Sequence, residues 1–135
     1  MTQPTPSATD LPLGAQMAQA IAASDEAALR ALFSTPVRFC GVTPRRFWDA
    51  ETPVGVADII LGTWFSPDKS ITGVIAIDTD TVADVEKVSY RLAVDLDSGP
   101  AVIEQVAYYG EQDGRVVDMR LVCSGFRLVE RKPVS

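Results

Sequence analysis

The sequence predicts an α+β domain in which N-terminal helices pack on a strongly curved, mainly antiparallel sheet. Three observations point there. Apolar residues recur at helical spacing as far as Trp64, and at a spacing of two from Ile71 onward. The stretch Ala101 to Phe126 is two apolar runs joined by Asp113-Gly114, a strong hairpin signal because a type I′ turn needs positive φ at both central residues. One apolar sheet face then has to be covered, and only the N-terminal helices are available. A long twisted sheet curling around helices leaves a cone with an internal cavity, and ligand sites tend to lie in such mouths.

In chain order, residues 1–9 are polar and carry prolines, which predicts a disordered lead-in. Asp10 is placed to cap a first helix with Pro12 in its first turn, and Leu13, Met17, Ala20 and Ile21 follow at helical spacing. Ser24 is a second cap, with Asp25 and Glu26 in the first turn, where the helix dipole favours anions. Ala28, Leu29, Leu32 and Phe33 form that helix's apolar stripe, and Pro36 stops it. Val37 to Cys40 reads as a short strand. Thr43-Pro44 predicts a third helix as far as Ala50, and Thr52-Pro53 a fourth through Trp64. Ile71 to Asp78 and Glu86 to Asp95 read as strands, separated by a polar turn between Thr79 and Asp84. Val88, Tyr90, Leu92 and Val94 are expected to face inward, and Asp97 to Pro100 turns the chain into the hairpin. Residues 10–129 make the single domain and 130–135 a tail.

A chain of 135 residues can bury roughly two thirds of its unfolded surface, enough for a core without staples. The formal charge of -6 argues against nucleic acid and anionic membranes as partners. No segment is apolar for long enough to span a bilayer, and the N-terminus lacks a secretory n-region and h-region, so the cytoplasm is expected. Cys40 and Cys123 then read as buried reduced thiols. The chain has no histidine, which excludes Ser-His and Cys-His nucleophile pairs and removes the usual zinc or iron ligands. No metal or cofactor is therefore expected, and acid–base work falls to carboxylates, Tyr, Lys or Cys.

Regular pairing across Asp113-Gly114 sets Tyr108 opposite Met119, Val106 opposite Leu121 and Glu104 opposite Cys123. The inward face is then Val102, Glu104, Val106, Tyr108, Val117, Met119, Leu121 and Cys123. The outward face carries Ile103, Gln105, Ala107, Tyr109, Asp118, Arg120 and Val122. A slip of one residue would bury Asp118 and Arg120. Ile103, Ala107, Tyr109 and Val122 are too apolar to be fully wet, which predicts a homodimer through that outer face, with Gln105 and Arg120 near its edge.

The order of elements resembles the nuclear transport factor two-like superfamily, the cystatin-like α+β cone, and within it the SnoaL-like branch. The resemblance is carried by Thr43-Pro44-Arg45-Arg46-Phe47-Trp48, Val88-Ser89-Tyr90-Arg91-Leu92, Glu104 to Tyr109, Asp113 to Val116 and Cys123 to Phe126. It implies a pocket between helices and sheet. It also implies, in some members, ketosteroid isomerase, polyketide cyclase, dehydratase or epoxide hydrolase activity. The isomerase pattern would put a tyrosine on the first helix, and residues 11–33 contain none. Dehydratase-type sites lean on histidine. The epoxide hydrolases use an Asp-Arg-Asp set inside the pocket, whereas Arg91 and Arg120 read as outward.

Glu104 is the sharpest candidate, because a carboxylate on an apolar inward face has a raised pKa that suits a general base. The alternative places it at the end of the sheet, bonded to a helix N-terminus or to solvent. Tyr90 and Tyr108 are candidate donors to a ligand carbonyl, or core aromatics with backbone partners. Phe47, Trp48, Trp64, Phe65, Val106, Met119, Leu121 and Cys123 are the expected apolar wall around a small hydrophobic ligand. The function that follows is small-ligand binding. Its catalytic form would be proton transfer beside a carbonyl, as in isomerisation or cyclisation. The alternatives are a non-catalytic binding or dimerisation module, and an interior filled by its own aromatics.

Overall fold

The computed structural model describes residues 11–129. The expected lead-in, the Asp10 cap and the tail lie outside the described residues.

Helix α1 (Leu13–Ala22) starts behind Pro12 and buries Met17, Ala18 and Ile21. Ser24, at φ 52, turns the chain into α2 (Glu26–Ala31), whose N-cap is Asp25, one residue later than expected. Its carboxylate accepts from the Ala28 amide at 3.1 Å. Strand β1 (Phe33–Thr43) begins directly behind α2, so Pro36 lies inside a strand rather than ending a helix.

The expected third helix is a strand. Pro44-Arg45 turns β1 back on itself, and β2 (Arg46–Ala50) pairs with it from Thr43↔Arg46 to Phe39↔Ala50. The Thr-Pro pair, read as a helix start, is a hairpin turn here, because Val37 to Thr43 already run extended and need a partner. Thr52-Pro53 does start a helix: the Thr52 hydroxyl accepts from the Gly55 amide at 3.0 Å. That helix, α3 (Pro53–Ala57), passes into a π-helical segment, Asp58–Trp64, closed by the Phe65 amide donating to the Ile60 carbonyl at 2.8 Å.

The remaining strands are β3 (Ser70–Val82), β4 (Val85–Leu96), β5 (Gly99–Gln112), β6 (Arg115–Cys123) and the short β7 (Arg127–Leu128). The strand order is β2-β1-β6-β5-β4-β3, with β7 on β5, and β1 runs parallel to β6. The sheet is therefore open, curved and mixed, with the helices packed on one face. Among the described residues no helix is long and apolar enough to cross a membrane.

The β5–β6 register differs from the regular one by a bulge. Gln112↔Arg115 and Glu111↔Val116 pair as expected, but the next pair is Gly110↔Asp118, leaving Val117 unpaired. An extra residue on one strand shifts everything beyond it on the other by one. Beyond the bulge strand β6 keeps its expected faces, with Met119, Leu121 and Cys123 buried and Asp118, Arg120 and Val122 outside, whereas before it Val116 is buried in place of the expected Val117. Strand β5 is turned over: Ile103, Gln105, Ala107 and Tyr109 are buried. Glu104 and Tyr108 are exposed and Val106 is half-buried on the convex face. The dimer surface expected on Ile103, Ala107 and Tyr109 is thus the inside of the protein, and only Val122 and Arg120 of that set lie outside.

The core lies between α1, α2, α3 and the concave sheet. Met17, Ile21, Leu29 and Ile60 meet Phe39, Leu92, Ile103, Met119 and Leu121, and the inward set Val88, Tyr90, Leu92, Val94 is as expected. Each such side chain contributes about 1.5–3 kcal/mol by leaving water. The helices come close to the sheet where glycine allows it. A Cβ on Gly14 would sit 2.6 Å from Val88 Cβ, and the Gly14 amide donates to the Tyr109 hydroxyl at 2.9 Å.

Candidate functional site

Register puts Tyr90 opposite Gln105 and Gln105 opposite Cys123, so the three side chains form one row across the concave floor. Tyr90 and Gln105 are buried to within 1% of full. The Tyr90 hydroxyl donates to Gln105 Oε1 at 2.5 Å. That bond commits the amide's acceptor and leaves its donor, Nε2, buried with no partner. Cys123 Sγ accepts from the Gly125 amide at 3.4 Å. Burial holds the Tyr90 hydroxyl far above the ordinary tyrosine range, so it remains a neutral donor.

The row's neighbour on the floor is Leu121, which pairs with Gly41 of β1. Trp64, at the end of the π-helical segment, lies on that glycine: a Cβ there would meet its Cη2 at 2.7 Å and its Cζ2 at 3.0 Å. Phe39 and Trp48 hold the indole from two sides, each with ring centroids 6.1 Å away. Trp48 Nε1 donates to the Thr43 hydroxyl at 3.0 Å, whereas Trp64 Nε1 is buried without a partner. Apart from the tyrosines and Trp64, Gln105 is the one buried polar residue among those described, and no carboxylate is buried with it.

At the end of the sheet where β3 starts, a groove of about 660 Å³ runs between the α1–α2 turn, the π-helical segment and β3. Leu61, Phe65 and Ile71 give it apolar walls, and Ser24, Glu26, Asp58, Lys69 and Ser70 supply polar groups. Phe65 belongs both to this groove and to the core, and meets Phe126 edge-on at 6.0 Å. Ile71 pairs with Val94, four residues along β4 from Tyr90. At roughly 3.3 Å per residue the polar row therefore lies about 13 Å deeper than the groove's edge.

The structure brings together Tyr90, Trp64, Phe65, Met119, Leu121 and Cys123 from the expected set, with Trp48 partly buried beside them. It moves others away. Glu104 faces solvent with 47% of its side chain exposed and accepts from Arg91 Nη2 at 3.2 Å. It cannot act as a base inside the cone. Tyr108 and Val106 are on the same convex face, and Phe47, 78% exposed, is outside as well. Regular pairing places Gln105 outward, and the bulge at Val117 turns it inward. The available signal was chemical: an uncharged amide is far cheaper to bury than the carboxylate next to it. Among the described residues no group of three or more His, Cys, Asp or Glu side chains is arranged to hold a metal.

This arrangement of helices on a curved, open sheet is an α+β cone. No family profile matches the chain, and no curated protein matches it by sequence. Solved structures do. A Rhodopseudomonas palustris protein assigned as an isomerase superposes with a TM-score of 0.67 at 11% identity, covering 85% of this chain and 91% of its own. A Pseudomonas putida protein assigned as a polyketide cyclase superposes at 0.62 with 16% identity, covering 87% and 91%. A Catenulispora acidiphila protein with a ketosteroid isomerase-like fold, solved with trimethylamine, does so at 0.62 with 10% identity, covering 83% and 85%. At these identities the likeness is one of fold.

Proposed function

We propose that the protein binds a small, largely apolar molecule that enters through the groove beside the π-helical segment. The groove carries this reading: its volume of about 660 Å³ falls in the ordinary range of small-molecule sites, and its apolar walls carry a few polar groups. The similar structures assigned as an isomerase and a polyketide cyclase support a ligand-binding role for the fold.

A catalytic form of this function, proton transfer on a hydrophobic carbonyl compound, needs a base within reach of the ligand. Glu104 does not qualify. The carboxylates bordering the groove are Glu26 and Asp58, and Asp58 stands on the π-helical segment opposite Lys69 and Ser70 in the lining. Both carboxylates are exposed, so binding alone is the simpler reading.

A thermal-shift screen of steroids, polyketides and terpenoids tests the binding reading. A ligand at a hundred times its dissociation constant stabilises the fold by about 2.7 kcal/mol. The expected result is a shift with at least one class that is lost in Leu61→Lys, which places an ammonium in the groove. No shift with any class, or shifts unchanged in that variant, contradicts the proposal.

A further inference from the structure

A second groove lies at the opposite end of the sheet, where α1 begins and the β5–β6 hairpin turns. Its volume of about 870 Å³ is within the ordinary range of small-molecule sites. Leu13, Ala28 and Leu32 give it apolar walls, and Glu86, Tyr109 and Glu111 of the sheet line it from below. Glu86 stands eight positions along β4 from Val94, the partner of Ile71 in the first groove. At roughly 3.3 Å per residue the two grooves are about 26 Å apart.

The register brings the three sheet residues together. Glu86 pairs with Tyr109, and Glu111 follows Tyr109 by two positions, so all three side chains stand on the concave face. Tyr109 is buried, with 2% of its surface exposed. Its oxygen accepts from the Gly14 amide at 2.9 Å, and among the described residues its own proton has no acceptor. Burial first, and then the charges of Glu86 and Glu111, hold that hydroxyl above the ordinary tyrosine range, against the opposing pull of the Gly14 amide. Both carboxylates therefore act on one point of the groove floor.

Neither carboxylate is in an ion pair among the described residues. Glu86 accepts from the Thr81 hydroxyl at 3.5 Å, a weak contact. No Lys or Arg lines the groove. Lys87 shares the convex face with its partner Tyr108, and Arg30 and Arg115 line a separate groove beside α2. The remaining polar side chain of the lining, Gln16, donates to the Leu11 carbonyl at 2.7 Å and keeps its amide oxygen as an acceptor. Two carboxylates facing one groove repel each other, and a neutral or anionic guest leaves that repulsion in place. A bare cation leaves the apolar walls wet. A cation carried on a hydrocarbon body meets both requirements.

We propose that this groove binds a hydrophobic amine as its ammonium ion, with the charged nitrogen between Glu86 and Glu111 at the Tyr109 hydroxyl and the hydrocarbon part along Leu13, Ala28 and Leu32. The site is distinct from the groove beside the π-helical segment and does not depend on the function proposed for it.

The test compares three probes of one shape on the full chain: 4-phenylbutylamine, 4-phenylbutan-1-ol and 4-phenylbutanoate. Binding is read from amide and methyl NMR signals. The amine is expected to shift Leu13, Leu32 and Gly114 and to bind roughly tenfold or more tightly than the alcohol, with the butanoate not competing. Added salt weakens the amine and leaves the alcohol unchanged. In Glu86→Gln/Glu111→Gln, which alters no core residue, the amine falls to the affinity of the alcohol while the alcohol still binds. Equal affinities for amine and alcohol in the parent overturn the proposal, as does an amine that binds nowhere at its solubility limit or shifts Leu61 and Ile71 instead. Methylammonium or calcium ions giving the same shifts at the same concentration mean a site for a bare cation and overturn it too. Nuclear Overhauser contacts from residues 1–10 to Leu13 and Leu32 in the free chain make the chain's own segment the occupant, with the same consequence. None of these failures touches the first groove.

Discussion

Tyr90 and Gln105 stabilise each other's burial. Replacing Tyr90 with Phe strands Gln105 Oε1 in the core, so a loss of about 1–3 kcal/mol is expected in urea unfolding. The tyrosine also sets an alkaline limit. Burial holds the Tyr90 and Tyr109 hydroxyls above the ordinary value of about 10. The folded protein therefore keeps these protons where the unfolded chain has lost them. This contribution is fully present below about pH 10 and is lost as the pH climbs through the folded values. The urea midpoint is expected to fall above about pH 10, less steeply in Tyr90→Phe; a variant that falls as steeply contradicts the assignment. Glu104 behaves differently. Its exposed ion pair with Arg91 makes Glu104→Ala a change of less than about 1 kcal/mol. Ile103→Glu, one residue away and facing inward, places a carboxylate in the core and is expected to cost more than about 4 kcal/mol. Equal effects at the two positions would mean that β5 faces the other way. Periodicity could not separate these neighbours, because Val102, Glu104, Val106 and Tyr108 alternate with Ile103, Gln105, Ala107 and Tyr109 and each set holds one strongly polar residue. Only the charge on Glu104 distinguishes them.

Elements with strong local chemistry were legible and those decided by pairing were not. Asp113-Gly114, with φ 55 and 77, makes the expected turn, and Thr52-Pro53 the expected helix start. The β3–β4 turn is made by Ala83 and Asp84 at φ 49 and 66, a hairpin turn without the glycine that announces one. Strand β2 is not legible in the same way, because Thr-Pro opens a helix or a turn equally well until β1 supplies a partner. The Val117 bulge leaves no mark in hydropathy, since Val116 and Val117 are identical residues. Among the caps, Asp25→Ala is expected to lose about 1 kcal/mol by freeing the Ala28 amide, measured by urea unfolding; no change would mean that the cap is not formed in solution.

Across the whole molecule, an apolar stripe crosses four strands of the convex face. Phe47, Val42, Val122 and Val106 are successive partners across β2, β1, β6 and β5. Phe47 and Val122 are 78% and 56% exposed. The adjoining row, Asp49, Cys40, Arg120, Tyr108, Lys87, Asp80, mixes both signs of charge. A face with both signs beside an apolar stripe suits a second copy of itself better than a partner of one sign, and we infer a homodimer through this stripe. Sedimentation is expected to give a dimer at micromolar concentration that Val122→Glu dissociates; a monomeric parent contradicts it. The fold class was readable from element order. The occupant of the convex face was not, because it depends on which β5 face points outward.

The central claim is that the groove beside the π-helical segment takes a small, largely apolar molecule. A crystal structure of the full chain soaked with 2-acetylnaphthalene tests it most directly. The account predicts the ring system against Leu61, Phe65 and Ile71. Density for the ligand only outside the groove, or none at its solubility limit, would contradict it.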